Sequence, residues 1–250
     1  FPTICSNCSA GTAIAVLYHD DGSFDKYGSP DVPAHVFINT SVIAKAPKEY
    51  FWAGVGDGIS KAPEVEHAVA AAVERGVELP HTAVLGAAIA ASSKDAFYKY
   101  GEQGIKDVEN GTVSKAIEEV ALDIVVSTGY ASNLVNQDDF YYNSCHAHAF
   151  YNATTAIKKE KEPLHGQVVS FGVMVLHAYF NELEELKKVA VFNKKLGLPV
   201  TLEEIGLKVS DAEKITELAM QTNEYKQTPF DKEKYIEAIK LADKMGSENA

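Results

Sequence analysis

Apolar and β-branched residues run from Thr12 to Tyr18 (Thr-Ala-Ile-Ala-Val-Leu-Tyr), and Asp20-Asp21-Gly22-Ser23 follows with the residues a hairpin turn uses. The chain is therefore predicted to open as strand, turn and strand. A second apolar run, His35-Val36-Phe37-Ile38, lies between Pro30/Pro33 and Asn39-Thr40-Ser41, which predicts a strand handing over to a helix cap. From about Lys48 the apolar spacing changes to three and four, the period of helices. Pro63 in a first turn and Gly76 after Glu74-Arg75 bracket a helix over 64–75, and 82–100 and 114–131 read the same way. Thr201 with Glu204, and Ser210 with Glu213, have capping-box spacing, and a last helix runs from Asp231 to Lys244, closed by Gly246.

The pattern describes a mainly α chain, a short β-rich beginning joined to a long helical domain. Strands apolar on both faces need a larger sheet to cover them, so the β part reads as incomplete. Either another chain supplies that sheet or the sequence is the C-terminal portion of something longer, and Phe at position 1 favours the second.

Composition narrows the function classes. With 46% hydrophobic and 23% charged residues over 250 positions, the chain is globular, and neither disulfides nor a metal is needed merely to fold. A metal found here would be functional. The net charge of −12 leaves no basic field for phosphates, which argues against nucleic acid and anionic membranes. The most apolar stretches, 82–91 and 168–176, fall short of the roughly 20 residues a spanning helix needs, and no signal peptide is legible at the N-terminus. Cys5, Cys8 and Cys145 are an odd set with no disulfide framework, which fits a reducing, cytoplasmic location. Cys5-Ser6-Asn7-Cys8 lacks the second pair of a structural zinc site and reads as a polar loop.

Three groups could carry chemistry. In Ala53-Gly54-Val55-Gly56-Asp57-Gly58-Ile59-Ser60-Lys61 a lone acid lies among glycines, which signals a turn or a close approach of backbone to something; taken alone, a turn with an N-capping Asp57 is the better reading. The others are Cys145-His146-Ala147-His148-Ala149-Phe150-Tyr151-Asn152 and Leu164-His165-Gly166-Gln167. Neutral imidazoles bind divalent ions well, small neighbours leave room, and a carboxylate with two histidines from three elements makes an open, catalytic kind of site. His67, His81 and His177 read as surface or hydrogen-bonded core histidines.

Four blocks in order then resemble the glycerol dehydrogenase group of the metal-dependent (iron-containing) alcohol dehydrogenase superfamily. They are Pro2-Thr3-Ile4-Cys5-Ser6 leading into 12–18; Ile43-Ala44-Lys45-Ala46-Pro47; Ala53-Gly54-Val55-Gly56-Asp57; and 147–152 through 165–172. The resemblance implies residues 1–47 as the end of a nucleotide-binding, Rossmann-like α/β domain and 48–250 as the helical catalytic domain. It implies Asp57, His148 and His165 as metal ligands, with His146 a lesser substitute, and Thr3, Ser6, Thr12, Ile14 and Tyr18 as what remains of the nucleotide site. The family's glycine-rich loop has no counterpart here. Other members add a histidine four residues after the acid; here that position is Lys61, which favours a three-ligand site and zinc over iron. Where glycerol dehydrogenases carry a polyol-contacting aspartate, the matching residue is Cys8, a feature shared with relatives that resemble reductases of 2-oxo acids.

The implied function is a metal-dependent oxidoreductase moving hydride between NAD or NADP and a small alcohol, in a homo-oligomer. The alternatives are a 2-hydroxycarboxylate dehydrogenase of the same fold, and a non-catalytic module that needs a partner.

Overall fold

The stretch His165–Tyr179 is apolar on every side, and a helix of that kind belongs in the centre of a core. In the computed structural model, which describes residues 1–20, 24–28 and 30–248, it does lie there. Every residue from Val168 to Ala178 is buried, and helices lie around it.

In chain order the elements are β1 (Ala15–Tyr18), β2 (Phe24–Gly28), α1 (Thr40–Ile43), α2 (Lys48–Gly58), α3 (Lys61–Glu74), α4 (His81–Glu109), α5 (Lys115–Leu122), α6 (Thr128–Val135), β3 (Asn136–Gln137), β4 (Phe140–Tyr141), α7 (His146–Thr155), α8 (His165–Tyr179), α9 (Leu183–Leu196), α10 (Ala212–Ala219), α11 (Asn223–Gln227) and α12 (Lys232–Glu248). The central α8 packs on α2, α7, α9 and α12, while the long α4 backs α2, α3, α5 and α6. No described helix is long and apolar enough to cross a membrane.

The expected opening hairpin is present, with β1 antiparallel to β2 from Ala15 opposite Gly28 to Tyr18 opposite Phe24. Asp21, Gly22 and Ser23 of its turn lie outside the described residues. The strand expected at 35–38 is absent: that stretch has no ladder partner among the described residues, and Phe37 stacks on the Phe1 ring at 4.8 Å instead. The cap that follows is real, with Asn39 Oδ1 accepting from Ser41 N at 3.1 Å.

After the single turn of α1, the helical series runs from Lys48 as expected, and Gly76 takes the left-handed conformation (φ +77°) that ends α3. The helix expected over 114–131 is capped by Ser114, but widens to π geometry over Asp123–Ser127 before α6. Thr201 and Glu204 exchange the expected bonds, yet close only a 3-10 turn. Ser210 is not a cap. Instead Asp211 accepts from Lys208 N at 2.8 Å, and α10 starts at Ala212. Nor does Gly246 end α12, which continues to Glu248; this glycine is buried where a Cβ would strike the Val200 carbonyl.

Candidate metal centre and its cavity

The glycine cluster of α2 is helical, not a turn, and the second of its two readings, close backbone approach, is the one the structure bears out. Glycine costs helix stability, so its use inside a helix needs a compensating contact. A Cβ on Gly54 would enter the Cys5 carbonyl, one on Gly56 the Gly166 carbonyl, and one on Gly166 the Ala53 carbonyl. The backbones of α2 and α8 therefore touch. Gly172 does the same for α7, since a Cβ there would strike the Ala147 carbonyl.

These contacts bring Asp57 of α2, His148 of α7 and His165 of α8 together, with one ligand atom of each within 4.8 Å of the others. Asp57 Oδ1 lies 3.0 Å from His165 Nε2 and 3.6 Å from His148 Nε2. Glu64, fully buried on α3, accepts from the backbone N–H of Cys145 and of His148, both at 2.9 Å, and pairs with His148 Nδ1 at 2.5 Å. With Nδ1 so engaged, Nε2 is the nitrogen turned to Asp57.

Charge follows this geometry. Burial pushes the Asp57 carboxyl up, but the charges and hydrogen bonds of His165 and His148 outweigh it and hold the group well below the usual carboxylate range. Burial likewise raises Glu64, and His148 more than reverses it. For His148 burial works downward, yet Glu64 and Asp57 push the imidazole up to about 10. Two imidazole nitrogens and one carboxylate oxygen, with an outer carboxylate orienting one ring, are a donor set that fits a divalent ion.

No protein-family model matches the chain. Glycerol dehydrogenase 1 of Schizosaccharomyces pombe is 32% identical over 221 residues, which cover 85% of this chain and 46% of that protein. Hydroxycarboxylate dehydrogenase A of Escherichia coli strain K12 is 28% identical over 222 residues, covering 88% of this chain and 59% of its own length. The crystal structure of glycerol dehydrogenase from Schizosaccharomyces pombe superposes with a TM-score of 0.85 at 27% identity, over 99% of this chain and 63% of that one. The chain is a glycerol dehydrogenase relative with the iron-containing alcohol dehydrogenase fold. It spans about half the length of the curated relatives just named, at 46% and 59%.

In this glycerol dehydrogenase relative the three clustered side chains open onto a cavity of about 440 Å³. Cys8, Thr12, Ile14 and Tyr18 line its other wall; Thr3 is exposed and Ser6 half-buried, and neither reaches the lining. Thr12 is buried, and Cys8 Sγ lies 3.7 Å from Ser132 Oγ. All three cysteines are free thiols. His146 stays away from the cluster. Its ring is enclosed by Tyr179, Phe180, Phe230 and Tyr235, neither nitrogen has a hydrogen-bond partner among the described residues, and burial lowers its pKa to about 3. His67 and His177 share Glu182 as a hydrogen-bond partner, at 3.3 and 2.7 Å. The sequence reading missed Glu64; its signal is a charged residue seven after Asp57, on the same helical stripe.

Proposed function

We propose that this chain carries the metal centre and one wall of the cofactor cleft of an NAD(P)-dependent dehydrogenase acting on a small alcohol. Residues 1–47 then belong to the nucleotide-binding α/β domain and 48–250 to the helical, metal-holding domain. The convergence of Asp57, His148 and His165 on one open cavity carries this reading, and kinship to glycerol dehydrogenases supports the reaction class.

When bound, a divalent ion, with zinc favoured over iron for two nitrogens and one oxygen, supplies Lewis-acid stabilisation to the alcohol oxygen, and the nicotinamide supplies the hydride acceptor. The chain's own residues do the rest. Asp57 brings the negative charge and His148 and His165 the ring nitrogens, which three helices hold to a fixed spacing. Glu64 takes the hydrogen bond of His148 Nδ1 and so turns Nε2 to the cavity side, where a bound ion would take the place of its proton. Cys8, Thr12, Ile14 and Tyr18 face this cluster across the cavity, where they bound the space for nicotinamide and substrate.

Metal content tests the reading without a known substrate. Wild-type protein, loaded with zinc and freed of excess by gel filtration, is expected to retain one equivalent by elemental analysis, and His148→Ala and His165→Ala to lose it while keeping their helical circular dichroism. Equal zinc in all three, or none in the wild type, would overturn the assignment.

A further inference from the structure

Lys61 enters the same cavity as the first residue of α3, four positions after Asp57 on a backbone that stays right-handed through Ile59 and Ser60. Asp57, Lys61 and Glu64 thus share one helical stripe, with spacings of four and three. The lysine is only 6% exposed. Its Nζ donates to two neutral oxygens of one residue, Asn143 Oδ1 at 2.6 Å and the Asn143 carbonyl at 3.1 Å. No carboxylate of a described residue pairs with it within 4.0 Å.

A buried ammonium without a counter-charge is costly, and this one keeps a third N–H beyond the two given to Asn143. Among the described residues lining the cavity Asp57 is the only carboxylate, and it is engaged by the two histidines. The side chains of Asn7, Cys8, Ser9, Asn136, Ser144 and Asn152 in the remaining lining are neutral; the nearest further carboxylate, buried Glu224, stands behind the wall and is held off the cavity by Ser144 Oγ and Asn152 Nδ2, each donating to it at 3.1 Å. The helical wall therefore presents an unpaired cation beside the cluster that would hold the ion.

We propose that Lys61 binds a carboxylate of the substrate, so that the cavity takes a small hydroxy acid or its oxo counterpart in preference to a neutral polyol. This inference rests on the dehydrogenase reading and adds its substrate class. Lys61 is a specificity residue. Its charge selects the anion, and Asn143 aims that charge by taking two of its three donors.

Lactate and 1,2-propanediol test it, because they share the hydroxyl-bearing carbon and differ by a carboxylate in place of a hydroxymethyl group. Affinities are measured by calorimetry on the zinc-loaded chain, for wild type, Lys61→Met, Lys61→Arg and Lys61→Gln, the last retaining a donor for Asn143 without charge. The wild type is expected to prefer lactate by roughly tenfold or more, the scale of one charge-assisted hydrogen bond. Either uncharged variant should erase that preference while leaving diol affinity within about twofold, and Lys61→Arg should keep part of it. A purely structural lysine would weaken both ligands alike. Equal affinity for the two ligands in the wild type, binding of neither, or a preference that survives in the uncharged variants would overturn the inference. Zinc content of the same samples judges the dehydrogenase reading separately, and the lactate-to-diol ratio judges Lys61 with or without retained zinc.

Discussion

The two walls of the cavity differ in what holds them. The helical wall, from α2, α3, α7 and α8, is fixed by main-chain contact at glycines and by the buried Glu64, which binds two backbone amides and one ring. The opposite wall leans on a two-stranded ribbon whose Val16, Leu17 and Tyr18 are exposed, and on the Asn133 side chain, which accepts from Ala13 N and donates to the Gly11 carbonyl, each at 2.9 Å. Between them lies the π stretch 123–127, which touches both α2 and the short turn at Ser9–Gly11. Positional precision resides in the helical wall, where ligand atoms must meet. The ribbon side only bounds space.

Breaking the helical wall should have the largest effect. Gly166→Ala drives a methyl into the Ala53 carbonyl, and separating α2 from α8 is expected to cost about 2–3 kcal/mol in urea unfolding and to abolish zinc retention. Glu64→Gln keeps one oxygen for the two backbone N–H groups but sets an amide NH2 where His148 Nδ1 needs an acceptor; zinc affinity, read by chelator competition, should fall roughly 10–100-fold.

The π stretch sharpens the comparison through pH. Burial, aided by the charges of Asp95 and Glu119 and opposed by a hydrogen bond from Ser127, pushes Asp123 up to about 7, and its Oδ2 has no partner among the described residues. Between its ordinary value near 4 and pH 7 the folded state binds more protons than the unfolded one, so stability contributed here is full at low pH and is lost as pH rises through that window. Asp123→Asn should therefore raise stability at pH 8 by roughly 2 kcal/mol and change little at pH 4, as measured by paired urea titrations. The smallest effect belongs to the ribbon wall: Asn133→Ala should cost about 1 kcal/mol and speed hydrogen exchange over 11–18, with α8 exchange unchanged.

What the sequence disclosed follows the same division. Helices after Lys48 are legible because their apolar period and caps are local, as Ser114 and Gly76 show. The run 35–38 misleads because strand character needs a neighbouring strand that local pattern does not reveal. Gly54, Gly56 and Gly246 misled for one reason: each is small because another segment presses on it, and that segment lies far away in sequence. The Asp57, His148 and His165 trio was reached through resemblance, whereas Glu64 and the Asn143 clasp on Lys61 depend on contacts across 84 and 82 positions.

The glycine crossing of α2 and α8 also bears on redesign. Since Gly56 and Gly166 are next to Asp57 and His165, the jaw that would grip an ion has its width set by the main chain and not by adjustable rotamers. Exchanging ligand side chains would alter which donor atoms are offered, but a wider or narrower jaw would require the helix crossing itself to be rebuilt.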